Sequence, residues 1–343
     1  MVVASPLRTI SRAAKRFAKL LQALRISGNR FEKLVNLAVA LRSSENTQNY
    51  IANIGTAPNF IRPRSWTEKM QWRKLFDRNP LLAQFCDKIA VRDYVRRHAP
   101  EVAFPRFHWT GDDVTTIPFA DLPASFVVKP NNQSGSVLII KDFAPAMRED
   151  IIRFCTKCLA LPPHGRAPYE WGYQKVKTRM IIEDYIPSPD PARLTTSYKM
   201  LVFSGTVRLV QAETGTPDQQ YLTFFSREGE RLMIRKWRGY VPVEKMLPPE
   251  PGLRLPERFD EMIRIAERLG EEIDHVRVDL YRHDGRIYFS EMTAYDGSGY
   301  SYLYDETEAF EGRPSQKLNF ELGAHWHLPE LSTMQLLRGV ISR

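Results

Sequence analysis

Cysteine is scarce in this chain. Its three copies, Cys86, Cys155 and Cys158, cannot build a disulfide framework, which points to a reducing compartment. Long apolar runs are missing as well, and none approaches the ~18 consecutive residues that a membrane-spanning helix needs. No short apolar stretch followed by small residues marks a secretory signal, so the expected location is the cytoplasm. A Gly-x-Ser-x-Gly elbow is absent, which leaves a Ser/His/Asp hydrolase without support. A Walker loop is absent too, as are internal repeats and low-complexity tracts. What is there is a globular composition: 343 residues, 43 % hydrophobic, enough for two or three lobes sharing a cleft.

Acidic residues are missing from the start of the chain. Arg8, Arg12, Lys15, Arg16, Lys19, Arg25 and Arg30 all precede Glu32, the first acid. Within this arm Ile10, Ala13, Phe17, Leu20, Leu21 and Leu24 recur at helical spacing, so a helix here has one apolar and one basic face. Three readings stay open: a helix packed on the body with a solvated basic face, a helix lying peripherally on the anionic inner face of the membrane, and a cleaved targeting peptide. The net charge of +9 adds only that a polyanion of some kind is the partner.

The spacing divides the chain into a basic amphipathic N-terminal helical region (1–57), a helical lobe (58–123), two α+β lobes (124–190 and 191–305) and a C-terminal tail (306–343). Short β-rich runs begin at Phe126–Lys129 and Val137–Ile140, and a helix is expected over 145–161, followed by a strand at Met180–Ile182. Tyr198–Phe203 and Thr206–Gln211 flank Ser204-Gly205, and Val276–Tyr281 and Arg286–Glu291 flank Asp284-Gly285, both dipeptides that suit tight hairpins. A helix from Pro256 to Glu272 precedes the second hairpin. The expected class is α+β with antiparallel sheets.

That last hairpin carries the clearest chemistry. Side chains two apart share a face of a strand, so Arg277, Asp279 and Tyr281 line up, as do Glu291 and Thr293 on the partner strand. The turn at Asp284-Gly285 sets Asp279 and Glu291 nearly opposite each other. Two adjacent carboxylates repel unless a cation lies between them, and Mg²⁺ selects hard oxygens of this kind. The plainer alternative is a solvated hairpin with many charges.

A second segment runs Lys129-Pro130-Asn131-Asn132-Gln133-Ser134-Gly135-Ser136. A lysine closing an apolar strand, then a small polar loop, offers a point charge and free N–H groups to a polyphosphate; an exposed lysine in a plain hairpin is the alternative. Asn132-Gln133-Ser134 also spells a glycosylation acceptor, which a cytosolic protein does not use. Asp87-Lys88, Glu183-Asp184 after Ile181-Ile182, and Lys199 inside an apolar strand are weak signals taken singly.

Their order resembles something known. Lys88, Lys129 with its Ser/Gly loop, Glu183, Lys199, Arg277-x-Asp279 and Glu291-x-Thr293 follow the nucleotide-binding path of the ATP-grasp superfamily, which includes D-alanine:D-alanine ligases. The phrases Trp66-Thr67-Glu68-Lys69-Met70-Gln71-Trp72, Asp87-Lys88, Val128-Lys129-Pro130, Tyr198-Lys199 and Arg277-Val278-Asp279-Leu280-Tyr281 resemble the TupA-like ATP-grasp family of bacterial surface-polysaccharide pathways. The likeness spans about residues 58 to 300.

The resemblance implies an ATP-grasp fold, two α+β lobes gripping ATP behind a helical N-terminal region. It implies that Lys88 and Lys129 hold the α- and β-phosphates while Ser134, Gly135 and Ser136 close over the triphosphate. Glu183 then meets the adenine, Asp190 the ribose and Lys199 the γ-phosphate. Asp279 and Glu291 hold Mg²⁺, and Arg277 stabilises the phosphoryl group and the tetrahedral intermediate. Thr293 stands where many relatives carry Asn and is kept as a weak ligand.

The implied reaction is ATP-dependent carboxylate–amine ligation through an acyl phosphate, joining a uronic-acid type saccharide to an amine such as an amino acid. A kinase acting on a sugar hydroxyl and a non-catalytic polyanion- or membrane-binding protein are the competing readings; no nucleic acid is expected. Cys155-Thr156-Lys157-Cys158 and His325-Trp326-His327 are read as core or surface thiols and a docked tail rather than metal sites. Arg235, Lys236, Trp237, Arg238 and Tyr240 are read as a mobile loop near the acceptor.

Overall fold

Two tight turns organise the larger sheet. Ser204-Gly205 (φ 46° and 73°) and Asp284-Gly285 (φ 47° and 72°) place consecutive residues in the left-handed region, the geometry whose twist matches that of a two-residue hairpin. Both hairpins form where these dipeptides lead one to expect them.

The computed structural model describes residues 17, 29–161, 169–239, 241, 246–308 and 312–342, the last four of these by backbone alone. Helices α1 (Asn29–Arg42), α2 (Ser44–Ile54), α3 (Trp66–Phe76), α4 (Pro80–Phe85) and α5 (Val91–His98) come first, followed by strands β1 (Phe107–Gly111), β2 (Phe126–Pro130) and β3 (Leu138–Ile140). Next are α6 (Arg148–Ala160), α7 (Trp171–Gln174), β4 (Met180–Asp184), β5 (Ser197–Phe203), β6 (Thr206–Gly215), β7 (Gln220–Phe225), β8 (Arg231–Leu232) and β9 (Ile234–Arg238). The chain ends with α8 (Phe259–Leu269), β10 (His275–His283), β11 (Arg286–Thr293), β12 (Ser301–Asp305), α9 (Lys317–Ala324) and α10 (Thr333–Ser342). The basic arm, Phe17 and its last residues from Asn29 on excepted, lies outside the described residues. Among those residues no helix is long and apolar enough to cross a membrane.

The chain packs as two compact units. One comprises the segment up to Asp77, Met233–Leu247 and Tyr295 onward; the other comprises Arg78–Leu232 and Pro248–Ala294.

The second unit holds two antiparallel sheets, ordered β1-β4-β2-β3 and β11-β10-β5-β6-β7-β8. Alternation in β2 buries Phe126 and Val128 beneath α6, whose Ile151, Cys155 and Cys158 complete that core. Burial pushes the Cys155 thiol up to about 12, as suits a packing residue. Helix α8 buries Phe259, Met262, Ile263, Ala266 and Leu269, the i, i+3, i+4, i+7 stripe of a surface helix. It starts at Phe259 rather than Pro256 because Arg258 is left-handed (φ 64°), a conformation that no right-handed helix can include.

In the first unit α3 begins with a capping box. The Glu68 N–H donates to Ser65 Oγ (3.2 Å), and the Glu68 carboxylate accepts from the Ser65 N–H (3.1 Å). The helix buries Trp66, Met70 and Trp72 and leaves Phe76 half-buried. Trp326 is fully buried against the Arg73 guanidinium (4.3 Å to the ring centroid), and Lys69 Nζ donates to the carbonyls of Gly323 (2.8 Å) and Trp326 (2.5 Å). The His-Trp-His segment is therefore a docked tail. The Arg235 segment corrects the sequence reading: Ile234–Arg238 is strand β9, antiparallel to β12 with Trp237 opposite Tyr302, and not a loop. Trp237 is buried beside Tyr50, Ile54, Tyr302 and Tyr304, and apolar burial fixes the segment; Tyr240 lies outside the described residues.

Candidate active site

The site is built on a row of residues running across three strands. Asp279 of β10 is registered against Glu291 of β11 on one side and Lys199 of β5 on the other. Immediately beyond Asp279 the β10–β11 register shifts between Asp279 and Leu280, a bulge of the kind that re-aims side chains at strand ends. Val276, Val278 and Leu280 fill the apolar face of β10, which leaves Arg277, Asp279 and Tyr281 together on the other face.

Arg277 chelates Asp279, Nε donating to Oδ1 and Nη2 to Oδ2, both at 2.7 Å. Lys199 Nζ lies 3.4 Å from Asp279 Oδ2 and 3.0 Å from Glu213 Oε2. Glu291 accepts from the Thr293 hydroxyl at Oε1 (2.6 Å), while Lys88 Nζ stands 3.8 Å from its Oε2. One patch thus gathers three carboxylates, a hydroxyl and three cations. Burial disfavours charge on Glu291, yet Lys88, Arg277, the Thr293 hydrogen bond and Lys199 outweigh it and hold the carboxyl down at about 2. Asp279 moves the other way: its burial raises the carboxyl above the ordinary value against the pull of Arg277 and Lys199, and the Glu291 charge adds to the rise. Burial lowers the Lys199 ammonium, but Asp279 and Glu213 reverse this and raise it overall.

Hard oxygen donors of this kind suit a divalent cation. Asp279, Glu291 and the Thr293 hydroxyl are donors of that type. Among the described residues no group of three or more His, Cys, Asp or Glu is placed to hold a metal ion.

The smaller sheet contributes the second half. Lys129, near the end of β2, places Nζ on Glu183 Oε1, and Glu183 Oε2 accepts from Arg92 Nη2 at 2.8 Å. Tyr281 sits beside this cluster, its hydroxyl raised by burial and then by the Glu183 charge. The loop after β2 is anchored by three buried amides. Asn131 Nδ2 donates to Asp87 Oδ1 (3.0 Å), Asn132 Nδ2 to Thr178 Oγ1 (3.0 Å), and Gln133 Nε2 to the Cys158 carbonyl (2.9 Å). Asn132 is completely buried, which rules it out as a glycan acceptor. The tip beyond them is exposed at Ser134 and Gly135 and half-buried at Ser136, with Gly135 at φ 76°. Lys88 ties this loop to the carboxylate row: its N–H donates to the Asn131 carbonyl (2.9 Å), and Nζ donates to that of Gln133 (3.1 Å).

Of the twelve residues singled out in the sequence, Lys88, Lys129, Glu183, Lys199, Arg277, Asp279, Glu291 and Thr293 make these contacts. Ser134, Gly135 and Ser136 form the loop tip. Asp190 stands apart: it is exposed and closes its own turn, its carboxylate accepting from the Ala192 N–H at 2.9 Å. A cavity of about 280 Å³ lined by Ser125, Lys141, Tyr185 and Arg193 adjoins that turn. Arg92 and Glu213 were missed. Arg92 lies in a helix rich in charge and meets Glu183 across 91 residues, and Glu213 meets Lys199 only through strand pairing, so no local spacing marks either one.

The TupA-like ATP-grasp family model matches residues 68–311, more than half of the chain. The chain belongs to that family, and the paired antiparallel sheets of its second unit are its ATP-grasp fold. Comparison with curated proteins gives no match. Among solved structures, D-alanine–D-alanine ligase from Bacillus anthracis complexed with ATP is similar at 15 % identity and TM-score 0.36, over 62 % of this chain and 55 % of that one. The enzyme of the same name from Helicobacter pylori is similar at 14 % identity and TM-score 0.40, over 72 % and 61 %. Phosphoribosylamine–glycine ligase from Thermotoga maritima is similar at 12 % identity and TM-score 0.35, over 62 % and 48 %. The chain thus spans less than two thirds of the length of each of these ligases.

Proposed function

We propose that this protein is an ATP-dependent ligase that activates a carboxylate as an acyl phosphate and joins it to an amine. The observation that carries the reading is the registered pair Asp279–Glu291 with Lys88, Lys199 and Arg277 around it. Phosphoryl transfer asks for positioned positive charge and no covalent protein nucleophile, and such a patch supplies it. Magnesium, when bound, neutralises phosphate oxygens; Asp279, Glu291 and Thr293 are the residues that hold it.

Lys88, Lys129 and the Ser134–Ser136 tip hold the nucleotide phosphates, Glu183 the adenine, Asp190 the ribose and Lys199 the γ-phosphate. The substrate carboxylate attacks the γ-phosphorus and ADP leaves. The amine then attacks the acyl carbon, loses its proton and expels phosphate. Arg277, already a fixed fork, steadies the transferring phosphoryl group and the oxyanion of the tetrahedral intermediate. A dry cleft limits hydrolysis of the acyl phosphate.

The proposed substrates are a surface-polysaccharide precursor bearing a uronic-type carboxylate and an amine from an amino acid or amino sugar, handled in the cytoplasm. The test is a screen for ADP release with uronic-acid sugars and amino acids, singly and paired. Release of ADP and free phosphate only when both acceptors are present supports ligation. Phosphate retained on a sugar makes the protein a kinase instead, and no turnover with any pair removes the catalytic reading.

A further inference from the structure

Glu183 is one carboxylate shared by two cations of different standing. Arg92 is the fixed one: its side chain is 8 % exposed, Nη1 donates to the Pro105 carbonyl at 2.7 Å, and the guanidinium lies 3.3 Å from the centroid of the Phe107 ring. Lys129 is the freer one, 19 % exposed on a flexible four-carbon stem, two residues before the turn that opens at Asn131. Glu183 itself is only 5 % exposed. A carboxylate so buried cannot be left without a cation.

If Lys129 were its sole partner, every approach of Lys129 to an anionic ligand would strand the Glu183 charge. Arg92 removes that obstacle, because the carboxylate stays balanced when Lys129 departs. We propose that Arg92 is a positioning residue that releases Lys129 to nucleotide phosphate by holding the charge of Glu183. The inference rests on the reading that Lys129 and Glu183 line a nucleotide site.

The test is a double-mutant cycle on affinity for ADP with Mg²⁺, measured by titration calorimetry on the full chain, with a melting temperature recorded for each variant. Arg92→Met should weaken ADP about tenfold, equivalent to 1.4 kcal/mol. Placed in a Glu183→Gln background, where no charge traps Lys129, the same substitution should change affinity less than about twofold. Arg92→Lys should keep most of the wild-type affinity. Arg92→Gln serves the same cycle if the methionine variant does not fold. Equal weakening in both backgrounds, or none in either, overturns the inference. Lys129→Met separates this failure from that of the wider reading: if it leaves ADP affinity unchanged, the nucleotide site itself is wrong; if it weakens ADP while Arg92→Met does not, only the role of Arg92 falls.

Discussion

Asp279 and Glu291 occupy paired positions on adjacent antiparallel strands, and their carboxyls are displaced in opposite directions, Glu291 down to about 2 and Asp279 above the ordinary value. Glu291 is held ionised mainly by Lys88 against the cost of burial. Asp279 has the Arg277 fork on both oxygens, yet its burial outweighs that pull. Carboxylates whose environments separate them in this way can take unlike roles at one site.

The Arg277 fork gives the first prediction. A lysine keeps the charge but cannot engage both oxygens of Asp279 at once. Arg277→Lys should lower kcat for ADP release on the order of a hundredfold, the size typical of losing a transition-state donor, with a much smaller effect on KM for ATP. Steady-state kinetics with an accepted substrate pair checks the split.

Thr293, a weak ligand in the proposed site, also orients Glu291 through one 2.6 Å hydrogen bond. Removing it in Thr293→Val should cost about 1 kcal/mol, seen as a several-fold higher Mg²⁺ requirement with nucleotide affinity nearly unchanged. A magnesium titration of activity at saturating ATP reads this directly.

Away from the site, Glu267 is held below its ordinary value of 4.5 chiefly by the Arg227 side chain, with the Val207 N–H assisting against burial. A group whose folded-state pKa is depressed contributes stability that is complete above its unfolded value and fades as the pH falls below it. Glu267→Gln should therefore be less stable than wild type at pH 7, and the gap should narrow towards pH 3 in urea denaturation.

In the first unit Trp326 is wholly buried on Arg73. Trp326→Ala should cost about 3–5 kcal/mol, a cavity penalty plus the lost stacking. Denaturant melts of the intact chain measure it.

The legible parts of this structure were those written locally. Asp284-Gly285 and Ser204-Gly205 announce their hairpins, but counting outward from the first sets Asp279 opposite Ser290, and only the register shift between Asp279 and Leu280 brings it to Glu291. The Trp66–Trp72 stripe likewise reads as a buried helix face. What stayed hidden depends on distant partners. Strand β9 carries Arg235, Lys236 and Arg238 among few apolar residues, and only pairing with β12, more than sixty residues on, makes it a strand. Lys236 is buried because Asp296 meets it at 3.4 Å, a contact no spacing reveals. The same holds for Arg92 and Glu183. The units are also discontinuous in sequence, so no composition boundary marks them.

In the proposed site Asp279 and Glu291 jointly grip a divalent ion against a nucleotide's phosphates. This grip is tested most directly by titrating Mn²⁺, followed by electron paramagnetic resonance, into the protein with a non-hydrolysable ATP analogue, for wild type, Asp279→Asn and Glu291→Gln. Each substitution should weaken nucleotide-dependent ion binding at least about tenfold, in line with loss of a metal-site residue. Unchanged Mn²⁺ affinity in both folded variants would contradict the account.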